Sequence, residues 1–162
     1  KELRPDFAPT RYKLAEAYKC LKRYPEALLE AESVVTLLPR CYQGYKYRGM
    51  VWAALGRREA FERDFEQTIN LRPNDAEVYN DKASGYRALE DRIGEADAYR
   101  KALSFDPDNW LAHLMLSQAY ATAGQCDKAF EHYKKAGQRE LGTQNAFRQQ
   151  ILDCRARAKQ AP

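Results

Sequence analysis

Prolines recur at Pro5, Pro39, Pro73 and Pro107, each 34 residues after the one before. Proline cannot donate the amide hydrogen bond a helix interior needs, so each of these positions ends a helix and turns the chain. A fixed period of this length marks a stacked array of similar units rather than a single globular core. Each unit has room for two helices of roughly three turns and a link at either end. The triplet Leu3-Arg4-Pro5 also matches Leu71-Arg72-Pro73. Residues 1–7 are therefore expected to be the end of a preceding unit or a short lead-in.

The units agree in more than their prolines. Counting from residues 8, 42, 76 and 110, the eighth residue is Ala15, Gly49, Ala83 and Ser117, always small. The eleventh is Tyr18, Trp52, Tyr86 and Tyr120, always aromatic. Small residues let two helix axes approach, and large ones fill the gaps beside them. The clearest unit is the last. Leu116, Ser117 and Tyr120 lie on one helical face, a turn is expected at Ala123–Gly124, and Ala129, Tyr133 and Ala136 form the face of a second helix. In the first unit Leu14, Ala27, Ala31 and Val34 take the matching places, with Pro25 in the first turn of the second helix. Tyr45, Phe65 and Ile69, then Tyr79, Tyr99, Ala102 and Leu103, do so in the middle units.

This pattern resembles the tetratricopeptide repeat (TPR). The resemblance implies an all-α, right-handed α-solenoid of four helix-turn-helix repeats, at 8–41, 42–75, 76–109 and 110–141. Residues 142–162 are then a capping helix and tail. Phe147, Ile151, Cys154 and Ala158 form its apolar face within 144–159, and Arg148, Gln149, Arg155, Arg157 and Lys159 back it. The family places ligand contacts on the first helix of each repeat. Here those residues are Tyr12, Lys13, Glu16 and Lys19; Gln43, Lys46, Tyr47 and Met50; Glu77, Asn80, Asp81, Ser84 and Arg87; and Leu111, Leu114, Met115 and Gln118. The resemblance implies a scaffold or adaptor that holds a peptide segment or helix of a partner protein in its concave groove. Leu111, Leu114 and Met115 are expected to form an exposed apolar anchor at one end. The Lys, Asn, Asn, Lys and Arg slots with which chaperone adaptors clamp a terminal carboxylate hold Tyr12, Glu16, Tyr47, Glu77 and Asp81 from the first repeat, and Lys46, Met50, Asp81, Leu111 and Met115 from the second. With Lys46 alone matching, that clamp is not expected.

Several residues depart from the pattern. Arg48 and Lys82 stand where Leu is usual, Phe61 and Glu95 where Ala is usual, and Arg58 and Arg92 where an aromatic is usual. The turn positions Lys22 and Glu90 lack glycine, Leu141 replaces the expected proline, and Asn74 with Glu77 suggests a capping box.

The remaining chemistry is sparse. His113 and His132 are the only histidines, and neither has the partners that metal binding or acid–base work requires. No catalytic residue, metal or cofactor is expected, and the chain is read as a non-enzyme. Cys20, Cys41, Cys126 and Cys154 lack metal-ligand spacing and are expected to be free thiols in a reducing compartment, cytoplasmic or nuclear rather than secreted. No membrane contact is expected from apolar runs only a few residues long. The net charge of +4 is mild. Nucleic acid is a disfavoured alternative, resting on Arg57, Arg58, Arg63 and Arg72 with Arg155, Arg157 and Lys159, because Glu59, Glu62 and Asp64 dilute that charge. Homo-oligomerisation is the other alternative.

Overall fold

A computed structural model describes residues 7–137, 148–149, 151–154 and 156. Among the described residues eight full helices run in order, followed by a helical stretch at 151–154: α1 (Phe7–Cys20), α2 (Tyr24–Leu37), α3 (Tyr42–Ala54), α4 (Arg58–Leu71), α5 (Ala76–Ala88), α6 (Arg92–Phe105), α7 (Trp110–Thr122) and α8 (Cys126–Ala136). Among the described residues there is no strand. Each odd-numbered helix packs most closely on the one that follows it, and the resulting hairpins stack through α2 on α3 and α6 on α7, with α1 on α3 and α3 on α5. The result is an α-solenoid of four hairpins. The contact of α4 with α5 is the least close of the three hairpin-to-hairpin joints.

One turn is used four times. Lys22, Gly56, Glu90 and Gly124 adopt φ of 58°, 71°, 59° and 72°. The amide of the residue just before each second helix then donates back to the preceding helix: Arg23 N to Tyr18 O and Arg57 N to Trp52 O at 2.8 Å, Asp91 N to Tyr86 O and Gln125 N to Tyr120 O at 2.9 Å. This left-handed cap satisfies carbonyls that the helix end leaves open. Lys22 and Glu90 take the same conformation without glycine, at a cost of about 1–2 kcal/mol each.

The small residues sit where helices touch. Ala15, Ala83 and Ser117 are fully buried. Ser117 Oγ donates to Ala129 O at 2.8 Å, so its hydroxyl is satisfied in the core. A Cβ on Gly49 would stand 3.0 Å from the Phe65 ring. The residues that break the pattern are absorbed by charge pairing. Arg48 grips Asp64 with two hydrogen bonds of 2.9 and 2.8 Å. Lys82 pairs with Glu62 at 2.9 Å, and the buried Glu95 is held by Arg87 and Arg92. The start of α5 differs from the expected capping box. Asp75 is the cap and accepts from Glu77 N at 3.0 Å, while Asn74 takes a left-handed φ of 63° to make the turn before it.

The cysteines require a correction. Cys126 and Cys154 form a disulfide, with Cα atoms 5.5 Å apart, and only Cys20 and Cys41 are free. Nothing in their spacing of 28 residues announces the bond. It forms because Cys126, at the start of α8, faces the helical stretch 151–154, where Ile151 is fully buried. Of the expected capping helix, Phe147, Arg155, Arg157, Ala158 and Lys159 lie outside the described residues, as do Leu141 and the triplet Leu3-Arg4-Pro5.

Candidate functional site

The first helices of the hairpins, α1, α3, α5 and α7, bring the expected contact residues together over most of the array. At one end the Tyr12 ring stacks on Tyr47, 5.4 Å between centroids and 6° from parallel. Tyr47 Oη donates to Glu16 at 3.4 Å, and Glu16 accepts from Lys13 at 3.2 Å. Burial raises the Tyr47 pKa above its ordinary value, and Glu16 adds to the effect against the opposing charge of Lys46.

Lys46 and Asp81 join the second hairpin to the third at 2.9 Å. The angle is poor for a hydrogen bond, which leaves Asp81 Oδ2 without one, so the contact is an ion pair. Burial alone would lower the Lys46 pKa, but Asp81, with Tyr47 and Glu77, holds it above the usual lysine value. Lys46 is thus a cation already engaged. Further along, Asn80 is nine-tenths buried; its Nδ2 donates to Asn109 Oδ1 at 3.2 Å, and its Oδ1 accepts nothing. Asn109 also caps α7 by accepting from Ala112 N at 3.0 Å. Ser84 Oγ returns to Asn80 O at 3.1 Å. Arg87 reaches Glu95 at 2.6 Å, Tyr99 Oη at 3.1 Å and Met115 Sδ at 2.8 Å. Asn109, Glu95 and Tyr99 were missed as members of this network. Only Glu95 carried a sequence signal, as an acid in a slot where Ala is usual.

The far end differs from expectation. Leu111, Leu114 and Met115 are half-buried, not an exposed patch. Met115 packs against the core formed by Ala83, Tyr99 and Leu116 and lies under Arg87. Gln43 is half-buried and accepts from Cys41 Sγ at 3.2 Å. Met50 leans on the Phe61–Phe65 core, and Glu77, Gln118 and Lys13 are exposed.

Outside this face, the basic cluster is partly spent. Arg58 pairs with Asp91 at 2.8 Å and Arg72 with Asp75 at 2.9 Å, while Arg57 and Arg63 are exposed. The two histidines meet across α7 and α8, with Nδ1 atoms 2.9 Å apart. His113 Nε2 stands 3.0 Å from Pro107 O. A carbonyl only accepts, so His113 carries its proton on Nε2, its Nδ1 accepts, and His132 Nδ1 donates. His132 is held below the ordinary imidazole pKa by burial first, then by His113, Lys135 and Arg100. Among the described residues no group of three or more His, Cys, Asp or Glu is placed to hold a metal.

Comparison with known proteins begins with the fold. A thermophilic TPR protein of Thermus thermophilus, TTC0263, superposes with a TM-score of 0.74 at 21% identity, over 90% of this chain and 81% of that one. The chain has the tetratricopeptide-repeat fold. MamA gives 0.64 at 23% identity, covering 82% of this chain and 77% of MamA. PilW, a type IV pilus biogenesis factor, gives 0.65 at 21%, covering 80% and 60%. By sequence, 87 residues are 30% identical to the Hsp70-Hsp90 organizing protein of Triticum aestivum, 54% of this chain and 15% of that protein. A further 145-residue match, 29% identical, is to the protein O-mannosyl-transferase TMTC3 of Homo sapiens, 89% of this chain and 13% of TMTC3. The TPR array therefore spans only a small part of these curated relatives. No family model matches the chain. Among the described residues no helix is long and apolar enough to cross a membrane.

Proposed function

We propose that the array is a protein-interaction module that holds an extended segment of another protein along the face of α1, α3, α5 and α7. MamA and PilW, the latter a type IV pilus biogenesis factor, share the fold. The observation that carries the reading is Asn80. Its carbonyl oxygen is buried in the middle of this face and accepts no hydrogen bond. Buried acceptors are normally paired, and a turn of the Asn80 amide toward the surface would let a main-chain N–H of a bound segment pair this one. On one side of it Tyr12, stacked on the buried Tyr47, offers a partly exposed ring, and on the other lies Arg87, paired with Glu95.

The face is not suited to clamping a terminal carboxylate. Glu16, Glu77 and Asp81 line it, and Lys46 is already neutralised by Asp81. Resemblance to the wheat organizing protein therefore supports the repeat type and not its ligand. The name of TMTC3 describes a transferase, but nothing in this stretch assigns a transfer reaction to this chain. For location, the buried Cys126–Cys154 disulfide favours a compartment in which disulfides form over the cytoplasm or nucleus.

The test is affinity capture from an extract of the source cells, followed by mass spectrometry. Wild type should retain a partner that Asn80→Ala and Arg87→Ala lose, with melting temperature monitored in parallel. Capture that ignores both changes and is lost with Arg57→Ala and Arg63→Ala would move the site to the basic turn. In that case a steep fall of binding with salt would point to nucleic acid.

A further inference from the structure

The 34-residue period allows each joint between hairpins to be compared with the next. At the joint of the second and third hairpins, Phe61 is fully buried and its ring lies against Gly85. A Cβ on Gly85 would come within 2.2 Å of that ring, so glycine is what admits the phenyl group. Arg58 then closes the outside of the joint by pairing with Asp91 at 2.8 Å.

One period on, all four residues of this arrangement have their counterparts. Glu95 stands for Phe61, Ala119 for Gly85, Arg92 for Arg58 and Gln125 for Asp91. The ring is gone, because Glu95 turns aside to Arg87 and Arg92. The clasp is gone too, because Gln125 has no charge to offer Arg92, whose side chain is 76% exposed. What remains between α6 and α7 is an open crevice of about 510 Å³. Ala96, Ala119 and Ala123 make it small-walled, Leu116 and Tyr120 line it, and Ile93 stands beside it 78% exposed, the most exposed large apolar residue described. Arg92 and Arg100 border the crevice, Arg92 paired at 3.0 Å with Glu95, which is part of the wall, and Arg100 with the exposed Asp97 at 2.5 Å, so each would share its charge with a partner's carboxylate.

We propose that this crevice is a docking slot for an aromatic side chain flanked by acidic residues on a partner protein. The partner's ring takes the place that Phe61 fills one joint earlier, and its carboxylate takes the place of Asp91 opposite arginine. A ring that enters a small-walled apolar crevice and sheds its water is the usual anchor of a protein interface. Complementary charge at the rim sets its direction of approach. The inference rests on the reading of the chain as a protein-binding array, but it names a surface distinct from the Asn80 face.

A phage-displayed library of random twelve-residue peptides, selected on the whole chain, tests it. Enriched peptides should share Phe, Tyr or Trp next to Asp or Glu. Binding should fall about tenfold or more with Arg92→Gln, which removes the charge at the rim while Arg87 still holds the buried Glu95. The double variant Glu95→Phe/Ala119→Gly rebuilds the earlier joint and should fill the slot from within, abolishing binding while circular dichroism and melting remain those of a folded array. Asn80→Ala should leave these peptides bound. Peptides lost with Asn80→Ala but kept by both slot variants would overturn the slot and favour the groove. Enrichment of peptides without an aromatic–acidic pair, or no enrichment over the filled variant, would equally overturn it.

Discussion

Gly85→Ala is the most demanding test of the packing described here. The substitution adds one methyl group to an interior position of α5, where alanine is ordinarily favoured over glycine by about 1 kcal/mol. On propensity alone the variant should be more stable. The structure predicts the reverse. The new Cβ would lie 2.2 Å from Phe61 Cε2 and 2.7 Å from Cζ, so the ring must retreat by about 1 Å to reach ordinary contact. It has little room to do so, because Phe65 stands 4.9 Å and Tyr86 5.2 Å from it, centroid to centroid. Overpacking of this kind costs about 1–3 kcal/mol, and the close approach puts it at the upper end. After the helix gain is deducted, a net loss of about 2 kcal/mol remains, equal to a fall of roughly 4–8 °C in melting temperature for a chain of this length. Urea unfolding followed by circular dichroism measures the first figure and a thermal scan the second. Adding Phe61→Leu should recover part of the loss, because the two sites touch and their effects cannot be independent. A Gly85→Ala protein as stable as the parent would refute the wedge, and with it the comparison of the two joints.

Two other outcomes follow from the last hairpin. His132 has a lowered pKa in the folded chain, so the unfolded chain binds more protons below about pH 6.5. Thermal stability should hold above that pH and fall as pH drops from about 6.5 toward 5, and His132→Phe should flatten the slope; a scan from pH 8 to 5 checks this. Cys154→Ser should cost about 3–4 kcal/mol for a loop closed over 28 residues, read as earlier amide hydrogen exchange in α8 with α1 and α2 unchanged.

Much of the fold was legible because it depends on repetition. The small residues at Ala15, Gly49, Ala83 and Ser117 and the turns at Gly56 and Gly124 are local requirements, and a local requirement leaves a local mark. Lys22 and Glu90 make the same turn because the hairpin geometry imposes it whatever residue stands there. Features that depend on two distant side chains were not legible. The Cys126–Cys154 bond and the engagement of Lys46 by Asp81 each need knowledge of what lies opposite. The apolar end failed for a related reason. Leu111, Leu114 and Met115 are spaced as a surface patch, but each is half-buried, and the Arg87 side chain lies against Met115. For the groove, residue types were readable, while their mutual neutralisation was not.

The ion pairs that replace leucine in the middle hairpins have a consequence for assembly order. A chain of near-identical hairpins could in principle dock them out of sequence, or exchange one with a neighbouring molecule. Lys82 meets Glu62 on the hairpin before it, whereas the residue one period earlier than Glu62 is Leu28, which offers no charge. Leu116, the counterpart of Lys82 in the last hairpin, would meet Glu62 if the third hairpin were skipped. Either error would leave a charge facing an apolar side chain in a closing joint, which is heavily penalised. The charges thus act as an address at this joint, favouring the third hairpin as successor of the second.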